Sequence, residues 1–375
     1  MRIAQIVATL PPHVGGMGAV AWEESKRLAA RGHQVTIFTL DHGGDYSADA
    51  NQPFKIVRLK TWLKAGDAGW TPRLLFKIKG FDVIHLHYPF YGTAEFVWLA
   101  KIFLGIKYVV TYHMEAMPKG WFKILVQKIS DFVFSHAILF GAEKVIVVDA
   151  EHFAASKWAK RIDPKRLEII PNAIDTELFN PARADRLPST LTDILPRKFV
   201  LFVGNPLPFK RLDFLLRAFS LVTSPDSVLV IRSDGYEIER YKQMTRELGL
   251  QEKVIFVGRL SELDLAACYG RAQCLVVPAA SAAESFSLVS IAALSSGCPV
   301  IVSDTPGVRG RVNNGVDGLI FKSDSVEDLA RCITTLLNQP DAERARMGSA
   351  GRAKAIELYG WEKHMDKLEM VYKSI

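Results

Sequence analysis

The chain has 375 residues, 49% hydrophobic and 23% charged, with no low-complexity tract and no repeat of solenoid length. That composition excludes a fibrous or disordered chain, and the length predicts two domains, or three, each large enough for its own core. The formal charge is +7. The four cysteines, Cys268, Cys274, Cys298 and Cys332, have no metal-ligand spacing, which argues against a disulfide scaffold and predicts reduced, buried thiols in a cytosolic protein.

In chain order, the opening "RIAQIVA" reads as a strand. Pro11 and Pro12 break the apolar run that it starts, so it is too short for a membrane span and unlike a signal peptide. Next comes "PPHVGGMGAV", in which Gly15, Gly16 and Gly18 precede a helical pattern over 17–31. Glycines there would let backbone approach an anion at a helix N-terminus; a plain turn explains them equally well, since neither G-x-G-x-x-G nor a P-loop lysine is present. Further strands follow at "QVTIFTL", "FKIVRL", "DVIHLH", "KYVVTYH", "KVIVVD" and "LEIIPN", with helix-length stretches at 93–104 and 120–141.

His113 ends the strand "KYVVTYH", where a structural histidine and one exposed to a ligand are both reasonable readings. His85 and His87 alternate on one face of "DVIHLH", which favours packing. From 55 to 128 the chain has twelve Lys and Arg against four Asp and Glu. Such a segment suits an anionic partner or is simply a solvated face. Within it, "RLKTWLKAGDAGWTPRLLFKIK" (58–79) and "PKGWFKILVQKISDFVF" (118–134) mix cations with Trp62, Trp70, Leu74, Leu75, Phe76, Trp121 and Phe122. That mixture fits the surface of an anionic bilayer.

The proline-bearing stretch 181–196 reads as a linker. Strands then restart at "KFVLFVG", "SVLVIRS", "KVIFVG", "CLVVPA", "PVIVSD" and "GLIF". Buried strands alternating with helices predict two doubly wound parallel sheets, with ligands at the C-terminal strand ends. The expected division is 1–190, 191–355 and a final helix, 356–375, packing back on the first domain, with a central cleft between the two. Lys210 and Arg211 follow the first strand of the second domain, as a diphosphate site or as an exposed basic loop. In "ESFSLVSIAALSSG", Glu284 stands before a helix opening whose Ser285, Phe286, Ser287, Leu288 and Val289 would offer free backbone N–H groups to phosphate. A plain cap accounts for the serines but not for the glutamate.

Together with the Gly-Gly loop, the stretches "DVIHLHYP", "TYH", "IIPNAIDTELFNP", "FVGN…PFKRLDFLLRAF", "ESFSLVSIAALSSGCPVIVSDTPG", "NGVDGLIF" and "YGWEKHMDKL" make the chain resemble a retaining glycosyltransferase of the family-4 type, essentially end to end. The resemblance implies an α/β GT-B architecture of two Rossmann-like domains, the first for the acceptor and the second for the donor. It implies transfer of a sugar from a nucleotide-diphosphate donor to a glycan or lipid-linked hydroxyl, with no metal cofactor. By it, Glu284 holds the donor sugar, Lys210 the diphosphate, Gly16 lies near the phosphates and His113 lines the sugar site. It also implies a cytoplasmic protein, peripheral on the inner face of the membrane; no nucleic-acid module is present.

The family's E-x7-E motif has its first glutamate at Glu284, but Ala292 occupies the second, ribose-binding position. Asn205 replaces an arginine, and Ser287 a glycine. Arg211, Ser290 or Ser295 are the candidates to compensate. Rival readings are another GT-B enzyme, such as an epimerase or phosphorylase, and a non-catalytic sugar-nucleotide-binding protein.

Overall fold

The computed structural model describes residues 1–13, 15–61, 63–115, 127–128, 130–187, 189–192, 194–195, 198–224, 227–235, 237–279 and 283–375. They form two compact units, Met1–Asn172 with Glu362–Ile375, and Ala173–Trp361.

The first unit is built on strands β1 (Arg2–Ile6), β2 (Gln34–Leu40), β3 (Lys55–Leu59), β6 (Val83–Tyr88), β7 (Tyr108–Tyr112), β8 (Lys144–Val147) and β9 (Leu167–Ile169). A small antiparallel ribbon, β4 (Lys64–Ala65) and β5 (Ala68–Gly69), lies outside this sheet. The seven strands are parallel, in the order β3-β2-β1-β6-β7-β8-β9. Every residue of β6 and β7 is buried, as expected of strands covered on both faces. Ile84, Leu86, Tyr108, Val110 and Val145 anchor the core. Helix α1 (Gly16–Ala30) crosses from β1 to β2, and α2 (Ala94–Leu104) from β6 to β7.

The second unit has β10 (Phe199–Val203), β11 (Val228–Arg232), β12 (Val254–Phe256), β13 (Cys274–Val277), β14 (Val300–Ser303) and β15 (Gly318–Phe321). They too are parallel, ordered β12-β11-β10-β13-β14-β15. The sheet is wrapped by α3 (Leu212–Ser220), α4 (Glu262–Arg271), α5 (Leu288–Ser295), α6 (Val326–Asn338) and α7 (Asp341–Tyr359). Ser261 and Ser325 cap α4 and α6, each accepting from the backbone N–H three residues on, at 3.1 and 3.2 Å. All four cysteines are buried and free.

The first unit ends at Asn172, not near residue 190. The segment that follows is bonded to α7 of the second unit: the Ile174 N–H donates to the Tyr359 carbonyl at 2.8 Å, and Arg352 Nη1 donates to the carbonyls of Thr176 and Phe179 at 2.9 and 3.0 Å. The expected linker therefore belongs to the second unit, with Pro181–Arg186 packed on α4 at the Gly270–Ala184 contact. The terminal segment expected at 356–375 is also divided. Residues up to Tyr359 complete α7, and a separate C-terminal helix, Trp361–Lys373, sends His364 and Tyr372 into the first unit.

Candidate active site

In a doubly wound sheet the loops diverge where the strand order reverses, and the C-terminal strand ends there form a natural crevice. In the second unit this point lies between β10 and β13. The loop after β10 closes with a 3-10 turn, Pro208–Lys210, and then Arg211 at φ 51° before α3. A non-glycine residue in the left-handed region is uncommon, and this one sharply turns the chain between Lys210 and the helix. The Arg211 guanidinium pairs with Asp324 and lies 4.1 Å from the centre of the Phe214 ring.

The loop after β13 brings Glu284 to the same place, and its carboxylate pairs with the Lys210 ammonium. Glu284 is only 8% exposed. Gly307 presses on this segment from the loop after β14: at φ +92°, a Cβ there would sit 2.4 Å from the Glu284 carbonyl oxygen. No side chain larger than hydrogen fits, so glycine is what lets the two loops approach.

The remaining candidates are placed less uniformly. Helix α5 starts at Leu288, not at about 285, because Ser287 takes a left-handed conformation at φ 59°. The Ser287 and Ser290 hydroxyls bond to each other at 2.7 Å, and no side chain caps the opening N–H groups of Leu288 and Val289. Phe286 is buried, edge-on to Tyr359, with the Arg311 guanidinium 4.2 Å from its ring centre. Phe286 thus packs the loop. Ser285 is half-buried.

Ala292 is buried within α5, and the three residues expected to compensate for it are already engaged. Arg211 pairs with Asp324, Ser290 bonds to Ser287, and the Ser295 hydroxyl donates to the Phe179 carbonyl at 2.5 Å. Asn205 is exposed.

In the first unit, Gly15 and Gly16 open α1 without a side-chain cap. One physical reason for the glycine-rich loop is packing: a Cβ on Gly18 would lie 2.3 Å from the Thr9 carbonyl oxygen. His113, just past β7, is buried and joined to His87, Nε2 to Nδ1, at 2.9 Å. His87 Nε2 meets Gln5 Oε1 at 2.7 Å. His85 meets the Tyr372 hydroxyl and the Thr111 hydroxyl, both at 2.7 Å. Glu24 of α1 bonds to His364 at 3.0 Å and to Gln5 at 3.3 Å.

Burial pushes His85 and His113 down to about 4 and His87 well below its ordinary range. For Glu24, burial alone would raise the value, but the His364 hydrogen bond and the neighbouring histidines outweigh it and hold the carboxyl below its ordinary range.

Sequence reasoning assigned His85 and His87 to packing and missed Glu24, Gln5, His364 and Tyr372. The available signal was the His-x-His pair on a strand otherwise fully apolar. Ligand atoms of Glu24, His85 and His87 come within 4.8 Å of one another, a spacing that a metal ion could bridge. Each of those ring nitrogens already has a protein hydrogen-bond partner, so the group forms a closed polar network. Of the expected basic-aromatic residues, Trp62, Lys119, Trp121, Phe122 and Lys123 lie outside the described residues.

Residues 14–178 match the family described as Glycosyltransferase Family 4, and residues 192–354 match Glycosyl transferases group 1. The chain is 28% identical to a D-inositol 3-phosphate glycosyltransferase of Thermomonospora curvata, over 96% of this chain and 90% of that protein. It superposes on a sucrose-phosphate synthase from Thermosynechococcus elongatus with a TM-score of 0.80 at 25% identity, covering 100% of this chain and 98% of that one. With Anabaena HepE in complex with UDP the TM-score is 0.81 at 16% identity, covering 100% of both chains. Two parallel α/β units with these matches show that the chain belongs to the group 1 glycosyltransferases of GT-B fold.

Proposed function

We propose that this glycosyltransferase takes its sugar from a nucleotide-diphosphate donor and transfers it, with retention of configuration, to a hydroxyl of a glycan or lipid-linked acceptor. The observation that carries the reading is the Lys210–Glu284 pair at the reversal point of the second sheet. Lys210 would take a phosphate oxygen, with Arg211 next to it in the chain and the uncapped N–H groups of Leu288 and Val289 a few residues beyond Glu284. Glu284 then accepts hydrogen bonds from sugar hydroxyls. HepE, whose structures hold UDP and UDP-glucose, supports a donor of this class.

As the bond from the anomeric carbon to the phosphate oxygen breaks, charge builds on the departing diphosphate, where fixed cations stabilise it most. The acceptor oxygen bonds to the anomeric carbon from the same face, and its proton goes to the departing phosphate oxygen. Glu284 is used here to accept hydrogen bonds from sugar hydroxyls and is not assigned as a nucleophile, so this route needs no glycosyl-enzyme intermediate. Cationic side chains neutralise the leaving group in this scheme, so activity should survive chelator.

The test is a panel of nucleotide sugars, screened for thermal stabilisation and then for transfer, with the anomeric configuration of the product read by proton NMR. An inverted product would overturn retention. Release of an isomerised nucleotide sugar would favour an epimerase, and binding without turnover a non-catalytic protein.

For the acceptor, the first unit exposes Leu63, Phe76 and Phe103 at 74, 73 and 71%, the first two next to Lys64 and Lys77 in the chain. Trp70 is exposed too, whereas Leu74 belongs to the core. Among the described residues no helix is long and apolar enough to cross a membrane. We propose peripheral binding to an anionic, cytoplasm-facing leaflet through these residues. Sedimentation with vesicles should rise with anionic lipid, weaken with salt, and drop several-fold in Phe76→Ser/Phe103→Ser. Absent or salt-indifferent binding would favour a soluble acceptor.

A further inference from the structure

The buried network around His113 can be read atom by atom, because its ends accept hydrogen bonds and cannot donate them. His364 Nδ1 faces the Pro171 carbonyl at 2.8 Å and its Nε2 faces the Glu24 carboxylate at 3.0 Å. The Glu24 carboxyl is held below its ordinary range and accepts here as a carboxylate. The other Glu24 oxygen, Oε2, lies 3.3 Å from Gln5 Nε2, which also donates to the Tyr372 hydroxyl at 3.2 Å. Turning the Gln5 amide over would set oxygen against carboxylate, so its orientation is determined. Gln5 Oε1 is then an acceptor, and His87 must donate to it from Nε2.

A neutral His87 with its proton on Nε2 has only a lone pair on Nδ1. That lone pair lies 2.9 Å from His113 Nε2, which must therefore be the donor. Burial keeps both rings neutral. One atom of His113 is left: Nδ1, without a proton, and among the described residues without a hydrogen-bond partner. His85 closes the side branch, accepting from Tyr372 and donating to Thr111. The charged or titratable groups facing this chain are Glu24 of α1, His85 of β6, and His364, Glu369 and Tyr372 of the C-terminal helix.

We propose that Glu24, acting through Gln5 and His87, fixes His113 in the tautomer whose Nδ1 is bare, so that His113 accepts a hydrogen bond from a hydroxyl of the sugar substrate. This rests on the proposed sugar transfer. Gln5, His87 and Glu24 are positioning residues: they touch no substrate, but without them His113 is free to present N–H instead. A ring presenting N–H would still bond a hydroxyl, yet it would leave that hydroxyl's own proton without an acceptor.

Long-range nitrogen NMR of the full chain labelled at histidine distinguishes the two tautomers at pH 7, with His113→Asn assigning the signal. The expected result is a neutral His113 protonated at Nε2 only. Gln5→Leu should give mixed tautomers and lower kcat about tenfold, the equivalent of one hydrogen bond. His87→Asn, whose amide oxygen can accept from His113, should retain more activity than His87→Leu. Tyr372→Phe should leave the tautomer unchanged, because Gln5 keeps Glu24.

An N–H at Nδ1, or an imidazolium, in the unmodified protein overturns the proposal without recourse to any variant. UDP-glucose, UDP-N-acetylglucosamine and GDP-mannose are then added in turn. The Nδ1 signal should move with whichever donor is turned over and not with the corresponding nucleoside diphosphate. A bare Nδ1 indifferent to a donor that the enzyme uses overturns the contact with the hydroxyl while sugar transfer stands. Absence of transfer from any donor overturns the proposed function instead, and the spectrum of the free protein still decides the tautomer.

Discussion

The Lys210 ammonium and the Glu284 carboxylate, 74 residues apart in sequence, are ion-paired in the second unit, where the loops after β10 and β13 meet. Each is the counter-ion of the other while no ligand is bound. On the proposed reading, a diphosphate arriving at Lys210 would compete for the cation and release carboxylate oxygens for hydroxyls.

Lys210→Ala should therefore lower kcat/KM by about 100-fold or more, as loss of a fixed cation at a leaving group does. It should also cost roughly 1–3 kcal/mol of stability, because a nearly buried carboxylate loses its partner. The comparison is Lys198→Ala, which breaks a pair with Asp341 that is 52 and 77% exposed; it should change kcat/KM less than twofold. Equal effects of the two substitutions in steady-state kinetics would refute the phosphate site.

Gly307→Ala tests whether the approach of the two loops matters. The new Cβ would overlap the Glu284 carbonyl, and φ +92° is strained for alanine, so the segment carrying Glu284 must move. A loss of roughly 2 kcal/mol or more in urea unfolding is expected, with kcat/KM falling further than stability explains. Gly315, also at positive φ but with nothing within 4 Å, is the control; Gly315→Ala should cost roughly 1 kcal/mol and spare activity.

Ala292→Glu restores the carboxylate eight residues after Glu284. Ala292 is buried in α5, so without ligand the glutamate should destabilise the protein by roughly 1–3 kcal/mol. If a ribose pocket lies there, nucleotide should recover that loss and bind more tightly than to the unmodified protein. Calorimetry showing weaker binding would mean that this chain holds ribose by other groups.

Stability should fall on acidification. His85 and His113 have native values near 4 against an ordinary 6.5, so between those values the unfolded chain binds protons that the folded chain refuses. Stability is then fully present above about pH 6.5 and is lost as pH falls towards 4, by at most roughly 3 kcal/mol per histidine. Glu24, whose value is lowered, adds a loss of the same sign below its ordinary range. Urea midpoints at pH 7, 6, 5 and 4.5 should decrease steadily. A midpoint constant to pH 4.5 would contradict the closed histidine network.

The alternation of buried strands and helices was legible along the chain because parallel strands covered on both faces read as largely apolar, β-branched and aromatic runs such as "FVLFV" and "YVVTY". The same pattern located Lys210, Glu284 and His113 just beyond strand ends, since local periodicity marks where a strand stops. It could not show which side chains meet. Glu24 and His364 stand 340 residues apart, and no local pattern links a helix near the start of the chain to one near its end. Nor could it place the first unit's end at Asn172, since the segment just after it is bonded to Tyr359 and Arg352 of α7, about 180 residues on. Nor could it show that α5 starts at Leu288, because the left-handed turn at Ser287 is stabilised by buried surroundings and not by serine's own preference. Sequence by itself determined the alternation of strands and helices and the strand ends beyond which the candidate residues lie. Only the tertiary structure decided the ion pairs, the histidine network and the unit boundary, because long-range contacts have no local signature.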